Sequence, residues 1–309
     1  MAEYPRRNFL RFLTISLGSL GSIYLSGCLS RDKILSRSLS PGKITPTPFL
    51  PKSSATGEVY PPTDQPPTQA SDTPTATSSM AYPDLVVARL GDPEQMVRAA
   101  VDALGGMGRF VKPGDVVVVK PNICVAYHDY KYAATTNPWV VGAVVRLAFE
   151  AGAKKVKVMD YPFGGTAEQA YSISGIGDEV KNAGGQMVVM SNVKYVETAI
   201  PEGIDLKSTK IFDGVLQADV IINVPIAKHH ELARLTLAMK NMMGVISDRP
   251  MMHSNLGQRL ADLNSRVRSN LIIIDAVRML MNHGPTGGNL SDVKKADTII
   301  ASPDIIASD

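Results

Sequence analysis

The chain has 309 residues, of which 44% are hydrophobic, 20% charged and 6% aromatic; this excludes a fibrous or wholly disordered protein and allows a sizeable core in one or two domains. Lys and Arg (32) outnumber Asp and Glu (29) too narrowly, at this length, for a nucleic-acid binder, so no nucleic-acid partner is expected. With Cys28 and Cys124 as its two cysteines the chain holds no disulfide framework, and no iron–sulfur cluster is expected from it.

Residues 1–27 read as a leader. Arg6-Arg7-Asn8-Phe9-Leu10-Arg11 resembles the twin-arginine export signal. Phe12 to Leu25 is apolar but diluted by Gly18, Gly21 and serines, and it falls short of the ~20 apolar residues that span a bilayer. Leu25-Ser26-Gly27-Cys28 follows directly and resembles a bacterial lipobox, whose cysteine is diacylated and becomes the new N-terminus. A basic anchor helix with an incidental cysteine is the alternative. Together the motifs predict a Tat-type lipoprotein signal peptide, handling by the Tat export machinery, and an exported protein anchored to the membrane through lipidated Cys28 on the extracytoplasmic side. Residues 28–80, rich in Pro, Thr and Ser, cannot bury enough apolar surface to offset their ordering entropy and are expected to form a disordered, partly extended linker.

Residues 81–309 have the texture of a folded domain. Asp92-Pro93-Glu94-Gln95 supplies an N-cap and a first-turn proline for a helix that ends at Gly105-Gly106. Val116 to Val119 predicts a strand buried on both faces, Asn137-Pro138 opens a helix running to Gly152, and Val156 to Met159 is the next strand. Ala167 to Ala183 predicts one helix, followed by strands at Met187 to Met190, Val220 to Val224, Leu271 to Ile274 and Thr298 to Ala301. Leu235, Met239, Met242 and Ile246 recur at helical spacing, so Leu232 to Ile246 is expected to be a helix. This alternation predicts an α/β fold with a mostly parallel sheet and helices on both faces. Ser302-Pro303-Asp304 opens another capped helix that stops at Asp309 after barely one turn, and a C-terminal truncation is expected from that.

In such sheets ligands sit beyond the carboxyl ends of the strands. Polar groups stand at four of the predicted strand ends: Lys120-Pro121-Asn122, Asp160, Lys228-His229-His230 and Asp275. If Lys228 to Asn241 leads into a helix, Thr236 and Lys240 share a face, and the histidines lie near a helix N-terminus that favours an anion. Lys120, Asn122, Asp160, Lys228, His230, Thr236, Lys240 and Asn241 are therefore the candidate ligand-binding residues, suited to a phosphate or carboxylate. The opposing reading makes the lysines surface groups and one histidine a core hydrogen-bonder. A metal reading takes His230 with Asp160 and Asp275, and with His229, His253 or His283 in reserve. Cys124 shows no activating partner in sequence.

Several of these residues also carry a resemblance. Lys120-Pro121-Asn122, Thr136 and Pro138 opening a helix that ends in Glu150-Ala151-Gly152-Ala153, Asp160 with Gly164 and Gly165, and the run KHHELARLTLAMKNMMG resemble the family called domain of unknown function 362. The resemblance spans roughly Leu85 to the end. It implies no settled activity, and the ferredoxin-like segment of some members has no counterpart here. The expectation is an exported, lipid-anchored α/β domain that binds a small anionic ligand or cofactor, as an enzyme of unknown reaction or, alternatively, as a non-catalytic binding or accessory lipoprotein of a membrane-associated complex; a His/Asp metal-binding protein is the further alternative.

Overall fold

The structure, a computed structural model, describes residues 82–309. The expected leader, Cys28 and the linker lie outside the described residues. In chain order the elements are β1 (Val86–Arg89), α1 (Pro93–Ala103), β2 (Val116–Pro121), α2 (Pro138–Glu150), β3 (Lys155–Val158), α3 (Ala167–Ile173), α4 (Ile176–Asn182), β4 (Gln186–Met187), β5 (Tyr195–Ala199) and β6 (Ser208–Phe212). There follow α5 (Asp213–Leu216), β7 (Val220–Val224), β8 (Ile226–His230), β9 (Arg234–Thr236), α6 (Ala238–Asn241), α7 (Leu256–Arg266), β10 (Leu271–Leu280), β11 (Val293–Ser302) and α8 (Ile305–Ser308).

The main sheet runs β1-β11-β10-β7-β2-β3-β4, with β8 attached to β10 and β9 to β8. Its β10-β7-β2-β3-β4 portion is parallel, and β11 and β1 close one edge antiparallel. The fold is thus α/β with a mostly parallel sheet covered on both faces. Strand side chains alternate between faces, and the two cores follow from that. Val117 and Val119 of β2, with Val220, Ile222 and Val224 of β7, pack under α1, α2 and α4. Val118 and Ile221 point the other way, against Phe212, Met242, Ile246 and Leu263. Strands buried on both faces need the near-continuous β-branched runs that β2 and β7 carry.

The caps read in sequence form. Asp92 Oδ1 accepts from Gln95 N at 3.0 Å to start α1, and Asn137 Oδ1 accepts from Trp139 N at 3.0 Å to start α2. The Asp304 carboxylate likewise accepts from Ile306 N and Ala307 N. Two expectations need correction. Ala167 to Ala183 is two helices, broken at Gly175, whose φ of 76° lies in the left-handed region that glycine enters at little cost. Leu232 to Ile246 is not a helix: β8 turns back into β9, Arg234 sits at φ 64°, and only the four residues of α6 are α-helical before a 3-10 turn over Met242–Val245. The strand β8 buries Ile226, Lys228 and His230 on one face at a period of two. Because two of those inward residues are polar, the strand pattern is invisible to a hydrophobic reading.

Candidate functional site: a cationic cavity at the strand ends

A cavity of about 410 Å³ opens beyond the carboxyl ends of β2 and β3. All eight candidate ligand residues, Lys120, Asn122, Asp160, Lys228, His230, Thr236, Lys240 and Asn241, line it. The sheet and the hairpin place them. Lys120 lies in β2 beside Asn223 of β7, and Asp160 follows β3. Lys228 stands directly opposite Thr236 in the β8–β9 pair, which puts both side chains on the same face. Thr236 and Lys240 therefore meet the cavity from a strand and from α6, and His230 reaches it from a strand rather than from a helix N-terminus.

Lys120 is almost wholly buried, 1% exposed, and its ammonium is fully engaged. Nζ pairs with Asp160 Oδ1 at 2.8 Å and donates to Pro121 O at 2.9 Å and Asn241 Oδ1 at 3.1 Å. Burial pulls the Lys120 pKa below the lysine range, while Asp160 pulls it back. Asp160 is committed in turn, accepting from Ile123 N at 2.6 Å and Tyr161 N at 2.8 Å. Gly244 closes over this pair: a Cβ there would lie 2.6 Å from Lys120 Nζ and closer still to Asp160 Oδ1. Gly244→Ala is accordingly expected to push the pair apart and cost about 1–3 kcal/mol, read as a lower denaturation midpoint at unchanged slope.

A chain of amides ties the walls together. Asn241 donates from Nδ2 to Asn223 Oδ1 and Lys120 O, and its Oδ1 also accepts from Asn122 Nδ2 at 3.0 Å. Asn122 Oδ1 accepts from Lys228 Nζ at 3.0 Å, and Lys228 spends its remaining protons on Ala134 O at 2.6 Å and Pro285 O at 2.9 Å. Lys228, 3% exposed, is thus a buried cation held by neutral oxygens. His230 Nδ1 accepts from Leu232 N and Ala233 N, which leaves the proton on Nε2. Burial, helped by Lys240 and Lys228, lowers its pKa to about 4, so the ring is neutral at pH 7. Among the described residues the buried Thr236 hydroxyl has no hydrogen-bond partner.

Lys240 differs from the other two lysines. It makes no ion pair or hydrogen bond among the described residues, and burial together with Lys228, Arg249 and Lys120 lowers its pKa to about 8. Cys124, Arg249, Glu231 and His253 also line the cavity; of these, the sequence singled out only His253, as a reserve metal ligand. Burial pushes the Cys124 thiol up, against the pull of Lys228. Arg249 donates to Tyr161 O at 2.7 Å with its guanidinium 4.6 Å from the Tyr161 ring centre. The cavity therefore gathers four basic side chains against Asp160, already paired, and Glu231.

The metal set drawn from the sequence does not assemble. Asp275 is not at a strand end but inside β10, away from the cavity, where it accepts from Asn137 N at 2.7 Å and Val277 N at 2.9 Å and so fixes the start of α2. Burial raises its pKa to about 6. His229 Nδ1 accepts from Gly284 N, and His283 pairs with Asp292. Among the described residues no three His, Cys, Asp or Glu side chains converge on a metal-sized site.

Comparison with known proteins places this geometry in context. A thylakoid-associated protein of Synechocystis sp. is 28% identical over 226 residues, which cover 69% of this chain and 66% of that protein, just under two thirds of its length. Among solved structures, the lactate racemase apoprotein of Thermoanaerobacterium thermosaccharolyticum aligns at a TM-score of 0.42 with 13% identity, over 71% of this chain and 54% of that one. The family described as Domain of unknown function (DUF362) matches residues 117–309, the span that carries every cavity residue named above, and this chain belongs to that family.

Proposed function

We propose that the domain binds a small anionic ligand, a carboxylate or a phosphate, in the cavity at the strand ends, and that the chain holds this site at a membrane surface through lipidated Cys28. The observation that carries the first half is the charge imbalance inside the cavity. Lys228 is buried without a carboxylate, Lys240 is without any acceptor among the described residues, and Arg249 uses one N–H on Tyr161 O. Like charges confined together in a low-dielectric space repel strongly, and an anion relieves that repulsion. The partnerless Thr236 hydroxyl and the Nε2–H of His230 supply neutral donors beside the cations. Small carboxylates and phosphates should raise the melting temperature in proportion to the logarithm of their concentration, and their neutral amide or alcohol counterparts should not. Equal shifts from charged and neutral compounds would contradict the reading.

The second half rests on Arg6-Arg7, the short apolar stretch and Leu25-Ser26-Gly27-Cys28 in that order. The thylakoid-associated description of the Synechocystis relative supports a membrane setting. In this reading anchoring falls to the lipid, and among the described residues no helix is long and apolar enough to cross a membrane. Cys28→Ala is expected to move the protein out of the membrane fraction or leave it unprocessed; tight binding of the variant after a carbonate wash would contradict the lipid anchor.

A further inference from the structure

The three cavity lysines differ in whether their nitrogen is available to react. The Lys120 ammonium is locked on Asp160, Asn241 and Pro121 O. The Lys228 ammonium donates to Asn122, Ala134 O and Pro285 O, so losing its proton would turn a lone pair toward oxygen lone pairs. Lys240 alone has no such partner among the described residues, and its neighbours in the cavity are Lys228, Lys120, Arg249, Cys124 and His230. With a pKa of about 8, roughly a tenth of this amine is unprotonated at pH 7, far more than of an ordinary lysine. An amine kept partly neutral by burial and by neighbouring cations, in a space that attracts anions, is the arrangement that activates lysine toward carbonyl carbons.

We propose that Lys240 is a nucleophile that forms an imine with a small aldehyde or ketone carrying an anionic group, the anion being held by the surrounding cations while the carbonyl carbon meets Nζ. The proposal rests on the anion-site reading and names its substrate class, for which a 2-oxo carboxylate and an aldehyde phosphate are the two sources. The Nζ lone pair forms the N–C bond as the carbonyl π pair moves to oxygen, and a proton passes from nitrogen to that oxygen to give a carbinolamine. The C–O bond then breaks, the hydroxyl leaves as water with the second nitrogen proton, and the nitrogen lone pair completes C=N. One water is released and nothing is oxidised or reduced.

The test treats the full-length protein at pH 8 with glyoxylate in one arm and pyridoxal 5′-phosphate in the other. Each is followed by borohydride, intact-mass measurement and peptide mapping. Glycolate and pyridoxine 5′-phosphate, which keep the anion and lack the carbonyl, are titrated in parallel by calorimetry. The expected result is one reduced adduct on Lys240, formed at least ten times faster than on exposed lysines, in the arm that matches the source. Lys240→Arg should abolish that adduct and leave the slow background labelling of exposed lysines, while the wild-type protein binds the matching carbonyl-free anion. Binding of the carbonyl-free anion with no preferential adduct on Lys240 would overturn the imine proposal and leave the anion site standing. Failure of all four compounds to bind would overturn both.

Discussion

Asp160→Asn is expected to cost about 3–5 kcal/mol of folding stability, because it leaves the Lys120 ammonium buried without its counter-charge. Neither partner can turn to water: Lys120 is 1% exposed and Asp160 is 4% exposed. The loss should shrink as pH rises. In the variant the Lys120 pKa falls further below its unfolded value, so the unfolded chain binds the extra proton and stability climbs with pH until both states are deprotonated. A Lys120→Met, Asp160→Leu double variant removes both charges and should recover most of the loss, since two apolar groups of similar size leave no uncompensated charge. A loss under about 1 kcal/mol in the single variant would mean that the pair does not organise the cavity floor.

Lys240→Met carries the second large effect, and its sign is opposite for stability and for binding. In the free protein the amine is held at about 8, below its ordinary 10.5, so folding penalises the ammonium at pH 7. Removing the charge should leave the fold at least as stable, by up to ~2 kcal/mol once solvent screening is allowed for. In the wild-type protein that penalty is present below pH 8 and is relieved as pH rises from about 8 toward 10.5, so wild-type stability should rise more over that window than the variant's. Anion affinity should fall roughly 10- to 100-fold in Lys240→Met, the loss of one hydrogen bond between charged groups. Wild-type affinity should also weaken as pH rises through about 8, where His230 is already neutral. Chemical denaturation and calorimetry across pH 7 to 10 measure both effects.

The strands that build the centre of the sheet were legible because burial on both faces demands apolar runs, and Val116 to Val119 and Val220 to Val224 show them plainly. The rule that ligands sit beyond carboxyl ends led from the first of those strands to Lys120 and Asn122, and from the Val156 to Met159 strand to Asp160. The β8–β9 hairpin was not legible, since its inward residues Lys228 and His230 are polar and their period of two is hidden, while Leu235, Met239, Met242 and Ile246 imitate a helical stripe. Leu235 is in fact exposed, and Met242 and Ile246 reach the core from a 3-10 turn and the residue after it. The eight candidate residues still meet at one cavity, though by a different route from the one read in sequence: Lys228 and Thr236 face it through strand register, not helical spacing. Asn223, an amide inside a buried apolar strand, was a readable signal of a polar network. Arg249 and Cys124 gave none, because only the tertiary fold brings them to the cavity. The β5–β6 hairpin and the α7 helix passed unread, the first because its strands are short and β5 is largely exposed, the second because three leucines, Leu256, Leu260 and Leu263, carry its apolar face.

The most direct measurement is proton uptake on anion binding, obtained by titrating the full-length protein at pH 8.5 in two buffers of different ionisation enthalpy. An anion in this cavity stabilises the Lys240 ammonium and raises its pKa, so part of the Lys240 population must take up a proton as the ligand enters. The account predicts saturable binding at one site with proton uptake in the wild-type protein, and weaker binding without that uptake in Lys240→Met. Binding with no proton uptake, or with the same uptake in the variant, would contradict it.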